Sequence, residues 1–476
     1  MAEIREEPLQ PQNEDLNARL ARMLQFQLHH QPLKPRIQRI PRFLWRRNPK
    51  FVDYYCSPPQ MISFGPIHHQ LEVTNLKRGH QLKTSWANRY LEKMKMYGDE
   101  NNNPIVSLYA TVESNVGRMR KLFSQDVIRN YDDRKLADML FVDGCALLFF
   151  MGTVDEKDPE SLNLKLNQLM YVWTDMILLE NQLPMELLEL LCGERGLLPN
   201  LFYNFLFMGL TRTDRDSIFT WSNDCKPAHL LDYIRLFHTS SLSSSLPIQV
   251  KPSLLDRSIC FCRTRLFKKK KTLPLRQKDP WHRYKNIRDL RNVGIRVEAN
   301  TSEWKWSNIS FTSKWFSGQL MLPGIVVDNV APYLYVNMIA YEMLPSSNNN
   351  FQCCSYFFLM DSLIDDAEDV KELRLAGVLQ NLLGSDEDVA KLFNALGYLL
   401  PAKMFNCTTR NGALAYNDKY IKIKHQIDKH YTNRWKTWRA QLHTTYFNNP
   451  WSIIAFLAAV LALFLTCVQT WYAVFS

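Results

Sequence analysis

Apolar positions recur every three to four residues along most of the chain, a spacing that predicts helices. Residues 13–30 carry Leu16, Leu20, Leu24 and Leu28 on one face and read as an amphipathic helix. Residues 32–66 are rich in Pro and Arg and read as extended chain running over the surface. Helical spacing resumes over 82–97 and 104–123. The most apolar blocks of the soluble part are 134–154 and 174–193, too apolar for surface helices and therefore candidates for the core. Thr174 suits a helix start, a bend follows near Gln182, Pro184 opens a second helix and Gly193 closes it. The period then shortens: residues 294–328 alternate and favour β-branched and aromatic types, predicting two to four short strands. Helices return from Ala331, and Ser385 followed by Asp386, Glu387 and Asp388 marks a helix start. The pattern as a whole predicts a mainly α fold, α+β only through the small β segment near 294–328, with no repeat of fixed period.

The last apolar run differs from the others. Residues 451–475 contain no charged side chain. About twenty such residues cross a hydrocarbon core of roughly 30 Å. Trp451 marks one end and Trp471 the other, and Phe456, Leu461, Phe464 and Val468 lie between them. Aromatic side chains at both ends are expected of a spanning helix. Seven Lys and Arg between Lys419 and Arg439 precede the run, and the first seventeen residues lack the pattern of a secretory signal. The expectation is a single-pass, tail-anchored membrane protein, of the plasma membrane or an endomembrane, with a cytosolic main domain. Three glycosylation sequons, at Asn300, Asn308 and Asn406, point the other way.

Composition adds organisation to this picture. The chain has 476 residues, 46% hydrophobic and 22% charged, enough to bury a sizeable core. Residues 1–32 form a polar and amphipathic N-terminal segment, 33–445 a soluble domain and 450–475 the span. A Ser-rich and basic stretch, about 239–285, reads as a flexible loop inside the soluble domain. The net charge of +11 is uneven: residues 256–298 carry fourteen Lys and Arg against four acids, while 361–388 carry nine acids against Lys371 and Arg374. Both stretches are candidate contact surfaces for a protein partner. Ten cysteines at irregular spacing, with no CxxC pair, fit a reducing compartment better than a disulfide scaffold.

Candidate chemistry is sparse. His68 and His69 adjoin Gly65-Pro66 and would be the acid/base pair if the chain were an enzyme; no third ligand or HExxH pattern accompanies them, so hydrogen bonding within the fold is the favoured reading. Asp143-Gly144-Cys145 lies in an apolar run, which favours packing over a nucleophilic thiol. Glu180, Asn181 and Gln182 sit before Pro184, where polar side chains satisfy backbone groups left by a broken helix. Sixteen glycines and no phosphate-binding, hydrolase or kinase signature argue against catalysis, and no cofactor or metal is indicated. The cluster Arg263, Arg265, Lys268, Lys269, Lys270 and Lys271 fits a solvated loop, with anionic lipid as the alternative partner and nucleic acid disfavoured.

Several stretches in a fixed order carry a resemblance to a known family. They are IQRIPRFLWRRNPKFVDYYCSPPQMISFGPIHHQ from Ile37, ADMLFVDGCALLFF, DMILLENQLP, AHLLDYIRLFH, IRDLRNVGIRV, LMLPGIVVDN, NMIAYE and the final YFNNPWSIIAFLAAVLALFLTCVQTWY. Over residues 35–475 the chain resembles the plant proteins grouped under domain of unknown function 247, also called UPF0481. Phe64, Ile67 and Gln70 depart from the family's usual Ile, Tyr and Gly, and Val293 and Ile295 flank Gly294 where Ala and Val are usual. The resemblance implies a plant origin, one C-terminal span and no established catalytic residues. Some grass members of that family are implicated in pollen self-incompatibility, with small secreted proteins as proposed partners, a role that does not carry over to this chain by resemblance alone. The expected function is a membrane-tethered, non-catalytic interaction or signalling component. The alternatives are an enzyme using His68 or His69, or a binder of anionic lipid through 256–298.

Overall fold

The structure is a computed structural model. It describes residues 37–69, 74–96, 104–155, 159–193, 197–206, 221, 226–239, 286–300, 305–314, 317–345, 351–400, 417–433 and 450–475. The amphipathic segment 13–30 and the basic cluster Arg263 to Lys271 lie outside the described residues.

The core is organised around the helix that the sequence marks as most apolar, α6 (Asp133–Asp155). Leu136, Leu140, Cys145, Phe150 and Met151 on it are all completely buried. Before it come α1 (Arg42–Trp45), α2 (Pro49–Tyr55), α3 (Thr74–Met96), α4 (Pro104–Arg120) and α5 (Gln125–Ile128). Helices α3 and α4 pack along α6. The long α3 begins eight residues before the predicted start at 82, and α1 and α2 replace the predicted extended chain in 32–66. Pro49 at the first position of α2 is a helix opener, so the Pro content there punctuates helices instead of excluding them.

After a 3₁₀ turn at Pro159–Leu162 come α7 (Leu166–Met176), α8 (Met185–Cys192), α9 (Leu197–Leu206) and α10 (Leu230–Thr239). The sequence expectation is corrected here. Thr174 does not cap a start; it lies inside α7, where its Oγ donates to the Met170 carbonyl at 2.9 Å. Helix α7 ends at Met176 rather than near Gln182, and the chain runs without helix to Pro184, the N-cap of α8. Gly193 does close α8, with φ +69° and its N–H on the Glu189 carbonyl.

The β segment is as predicted in place and at the upper end in number. Short α11 (Ile287–Asn292) leads into β1 (Ile295–Asn300), β2 (Ser310–Ser313), β3 (Gly318–Pro323) and β4 (Ile325–Val327). Strand β3 lies between β1, parallel with Ile295 opposite Gly318, and β2, antiparallel with Ser310 opposite Met321. The remaining elements are α12 (Ala331–Glu342), α13 (Gln352–Asp361), α14 (Ala367–Leu375), β5 (Leu379–Asn381), α15 (Asp386–Leu399), α16 (Asp418–Tyr431) and α17 (Pro450–Phe475). Strand β5, too short to show a period, pairs in parallel with β4. Ser385 caps α15 as predicted, accepting from the Asp388 N–H.

Candidate functional site

The residues singled out near Gly65 and Glu180 converge in one buried polar frame. It joins the loop 57–69 to the non-helical segment 177–184. Neither stretch has a helical or sheet ladder, so its backbone groups need other partners. Asn181 accepts from Phe64 N–H at 2.6 Å and donates to the Ile62 and Asp175 carbonyls at 3.0 and 2.8 Å. Gln182 donates to the Met176 and Leu178 carbonyls, both at 2.8 Å, and accepts from Leu231 N–H at 3.0 Å. Glu180 accepts from Ile40 N–H at 2.8 Å and meets His68 Nε2 at 3.1 Å. Asp143 accepts from Gly65 N–H at 2.8 Å and pairs with Lys83 Nζ at 2.5 Å. Gly65 has φ +69°, and a Cβ there would stand 2.9 Å from the Gln182 carbonyl oxygen, so only glycine fits the turn. The carbonyl of Pro66 accepts from the Tyr131 hydroxyl at 3.0 Å.

Three members of this frame were not singled out in the sequence. Asp175 accepts from the N–H groups of Gln60, Met61 and Ile62 at 2.7–2.9 Å, and burial lifts its carboxyl to about 6 against the pull of those donors. Lys83 donates to the Ser63 carbonyl at 2.6 Å. Asn337 accepts from Leu179 N–H at 2.8 Å and donates to the Tyr55 and Tyr333 carbonyls at 3.0 and 2.8 Å. Asp175 and Asn337 are polar residues in apolar helices, the one signal by which they were findable, whereas Lys83 lies in a polar helix and carries no such signal.

The two adjacent histidines face different surroundings. His68 is buried against Glu180. His69 lines a cavity of about 450 Å³ with His80, Tyr131 and Asp138, its ring 6.1 Å from that of His80, and burial holds its pKa below the ordinary value. Among the described residues no group of three or more His, Cys, Asp or Glu is placed to hold a metal ion. Gly144 lets α8 approach α6: a Cβ there would lie 2.3 Å from Leu191 Cδ1. The Cys145 thiol beside it is buried and pushed up to about 12 by desolvation. Cys56, Cys145, Cys192, Cys353, Cys354 and Cys467 are all free thiols.

A larger groove of about 750 Å³ opens between α2, α7, α12 and α15. Tyr54, Tyr55, Met170, Tyr171, Tyr333 and Leu392 line it, and the Tyr54–Tyr55 and Tyr55–Tyr333 rings meet edge-on at 4.9 and 5.0 Å.

The two charged stretches are not independent surfaces. Arg288 pairs with Asp366 and, through Nε at 2.9 Å, with Asp369; Arg291 pairs with Glu372 at 2.6 Å. Part of the basic stretch 256–298 therefore neutralises part of the acidic stretch 361–388 across the α11–α14 contact.

Among the described residues two helices are long and apolar enough to cross a membrane, Asp133–Thr153 within α6 and Ile454–Trp471 within α17. The first is mostly buried in the domain, and none of the second is. Trp451, Phe456, Leu461, Phe464 and Trp471 are exposed along α17, and Val468 is partly so.

The family described as DUF247, plant protein of unknown function, matches residues 37–465. The chain belongs to this family. The putative UPF0481 protein At3g02645 of Arabidopsis thaliana is 33% identical over 191 residues, covering 40% of this chain and 33% of that relative. The UPF0481 protein At3g47200 of the same plant is 22% identical over 455 residues, covering 92% of this chain and 86% of that protein. The chain thus spans about a third of the length of the first relative and most of the second. No solved structure matches the chain. Of the ten residues read as the family motif, Gly65, Pro66, His68, Asp143, Glu180, Asn181 and Gln182 belong to the buried frame, whereas His69 lines the cavity beside it, Gly144 packs against Leu191 and Pro184 caps α8.

Proposed function

We propose that this DUF247 member is a single-pass membrane-anchored protein whose soluble domain binds another protein without catalysing a reaction. The observation that carries the anchor is the contrast between its two apolar helices. Helix α6 has the domain around it, whereas α17 exposes Phe456, Leu461, Phe464 and Trp471 on all sides. An uncovered apolar helix of this length is stable in lipid and not in water. Binding rather than chemistry is supported by the frame: Asn181, Gln182, Glu180 and Asp143 direct their polar atoms to backbone partners inside the fold. The main domain faces the cytosol in this proposal, as the Lys and Arg between Lys419 and Arg439 ahead of the span favour.

The test is alkaline carbonate extraction of the full chain expressed in plant cells. The wild type stays in the pellet, and Leu461→Arg/Phe464→Arg moves to the supernatant. Wild type released by carbonate would refute the anchor. Glycosidase treatment reads the orientation: a mobility shift, which needs modification at Asn300, Asn308 or Asn406, would place the main domain on the non-cytosolic side.

A further inference from the structure

Helices α1 and α2 present a basic face to solvent. Residues 39–53 carry Arg39, Arg42, Arg46, Arg47 and Lys50 against one acid, Asp53. Leu44 on α1 and Val52 on α2 are buried and fix both short helices to the core. Successive side chains of a helix turn by about 100°, so residues two places from Leu44 point away from the core. Arg42 and Arg46 are those residues, and they are exposed together with Phe43, Arg47 and Lys50. Phe43 is 42% exposed, an aromatic ring carried between arginines.

The acids nearby are already engaged. Asp53 accepts from Trp45 Nε1, and Asp126 and Glu180 stand beside Arg39 at 4.0 and 3.9 Å. Arg47 donates to the Tyr398 carbonyl at 3.2 Å, a neutral acceptor. Arg42, Arg46 and Lys50 have no ion-pair or hydrogen-bond partner among the described residues. Elsewhere on the surface Arg118, Arg291 and Arg374 each meet a carboxylate, those of Glu186, Glu372 and Asp386, at 2.9, 2.6 and 3.0 Å. The α1–α2 face therefore combines uncompensated positive charge with one exposed apolar ring. A bilayer surface offers the complement of both, with anionic headgroups outside and an apolar layer within about 10 Å beneath them. An acidic protein surface complements the charge alone.

We propose that the α1–α2 face rests on an anionic lipid surface, with Arg42, Arg46, Arg47 and Lys50 against the headgroups and the Phe43 ring at the acyl boundary. Each basic side chain at such a surface strengthens binding about fivefold, so the face alone binds weakly and reversibly. The span proposed above would keep the domain beside a bilayer and raise the effective concentration of the contact. Only that last step rests on the anchor. The face itself is a second, salt-sensitive attachment that limits the tumbling of the domain.

Vesicle flotation of the full chain tests it. Every form carries Leu461→Arg/Phe464→Arg, so the span does not decide the outcome and the two added arginines cancel between forms. The forms are this background alone, the background with Arg42→Glu/Arg46→Glu/Lys50→Glu, and the background with Phe43→Ser. All four positions are exposed, and an unchanged melting temperature confirms the fold. Vesicles are phosphatidylcholine alone or phosphatidylcholine mixed with phosphatidylserine. The background floats with the mixed vesicles at low salt, and added salt releases it. The triple charge reversal lowers its partition by about tenfold or more, and Phe43→Ser lowers it several-fold without changing the salt dependence. A background form that does not float with the mixed vesicles would overturn the proposal. So would flotation that survives the triple reversal, which places the lipid contact elsewhere in the chain. Loss of binding to soluble polyglutamate in the triple variant, with flotation unchanged, would overturn it in favour of an acidic protein partner. Carbonate release of the wild type would refute the anchor and leave this comparison standing, because no form in it has a working span.

Discussion

Lys83 Nζ lies 2.5 Å from Asp143 Oδ1, and both side chains are sealed from solvent. The ammonium also donates to the Ser63 carbonyl, and the other carboxylate oxygen accepts from Gly65 N–H. This pair clamps the loop 57–69 between α3 and α6. Lys83→Met leaves a buried carboxylate without its countercharge, which costs about 3–5 kcal/mol. Lys83→Met/Asp143→Asn loses less, because no charge is left unpaired. Urea denaturation of the two variants checks the order; equal losses would show that the countercharge is irrelevant.

Asn181→Leu removes the acceptor for Phe64 N–H and the donors to the Ile62 and Asp175 carbonyls. Leaving such groups unsatisfied costs about 1–3 kcal/mol each, less where the loop relaxes to admit water. The loop 57–69 loosens first, so limited proteolysis cuts there before it cuts α12–α15. Simultaneous cleavage throughout would contradict a local role.

Gly144→Ala inserts a Cβ 2.3 Å from Leu191 Cδ1. Overpacking of this kind costs about 1–3 kcal/mol. Gly144→Ala/Leu191→Ala makes room for the methyl group, so the two changes are less damaging together than the sum of the singles. A double-mutant cycle on thermal stability reads the coupling, and strict additivity would refute it.

His229 precedes α10 and His238 lies in its last turn, and burial holds each imidazole down to about 4. The unfolded chain titrates near the ordinary 6.5. Between those values the unfolded state binds protons that the folded state refuses, so stability falls as the pH drops from 6.5 towards 4. The slope is up to about 1.4 kcal/mol per pH unit for each histidine. The raised carboxyl of Asp175 works in the opposite sense between about 4 and 6 and offsets part of this loss. His238 stacks on Trp306 at 4.4 Å, which a phenyl ring reproduces. His238→Phe therefore keeps the packing and removes one histidine's share of the slope; an unchanged slope in urea titrations across this range would count against the assignment.

The parts of the fold that were legible are those decided by neighbours in sequence. Helix α6 follows from a long, mostly apolar run, α15 from Ser385 and the acids after it, and β1–β4 from alternation. Misreadings occur where distant partners decide. The stretch 177–182 reads as helix by its apolar content, yet Asn337, 158 residues away, takes the Leu179 N–H, and Gln182 stands in for the missing helical bonds. The charged stretches read as two surfaces because nothing local shows that Arg288 and Arg291 meet acids 81 residues on. Of the candidate site, His68, Asp143, Glu180, Asn181 and Gln182 were visible as residues. Their convergence, and the roles of Asp175, Lys83 and Asn337, were not.

Asn337 ties together the carbonyls of Tyr55 and Tyr333 and the amide of Leu179, and the first of these bonds spans 282 residues. The amino-terminal third therefore cannot reach its final arrangement while the ribosome is still making the middle of the chain. Closing so long a loop slows folding and leaves incomplete intermediates with bare apolar faces. Until Asn337 has emerged, the partners it joins stay apart, so the amino-terminal third made alone should aggregate instead of folding to its final form.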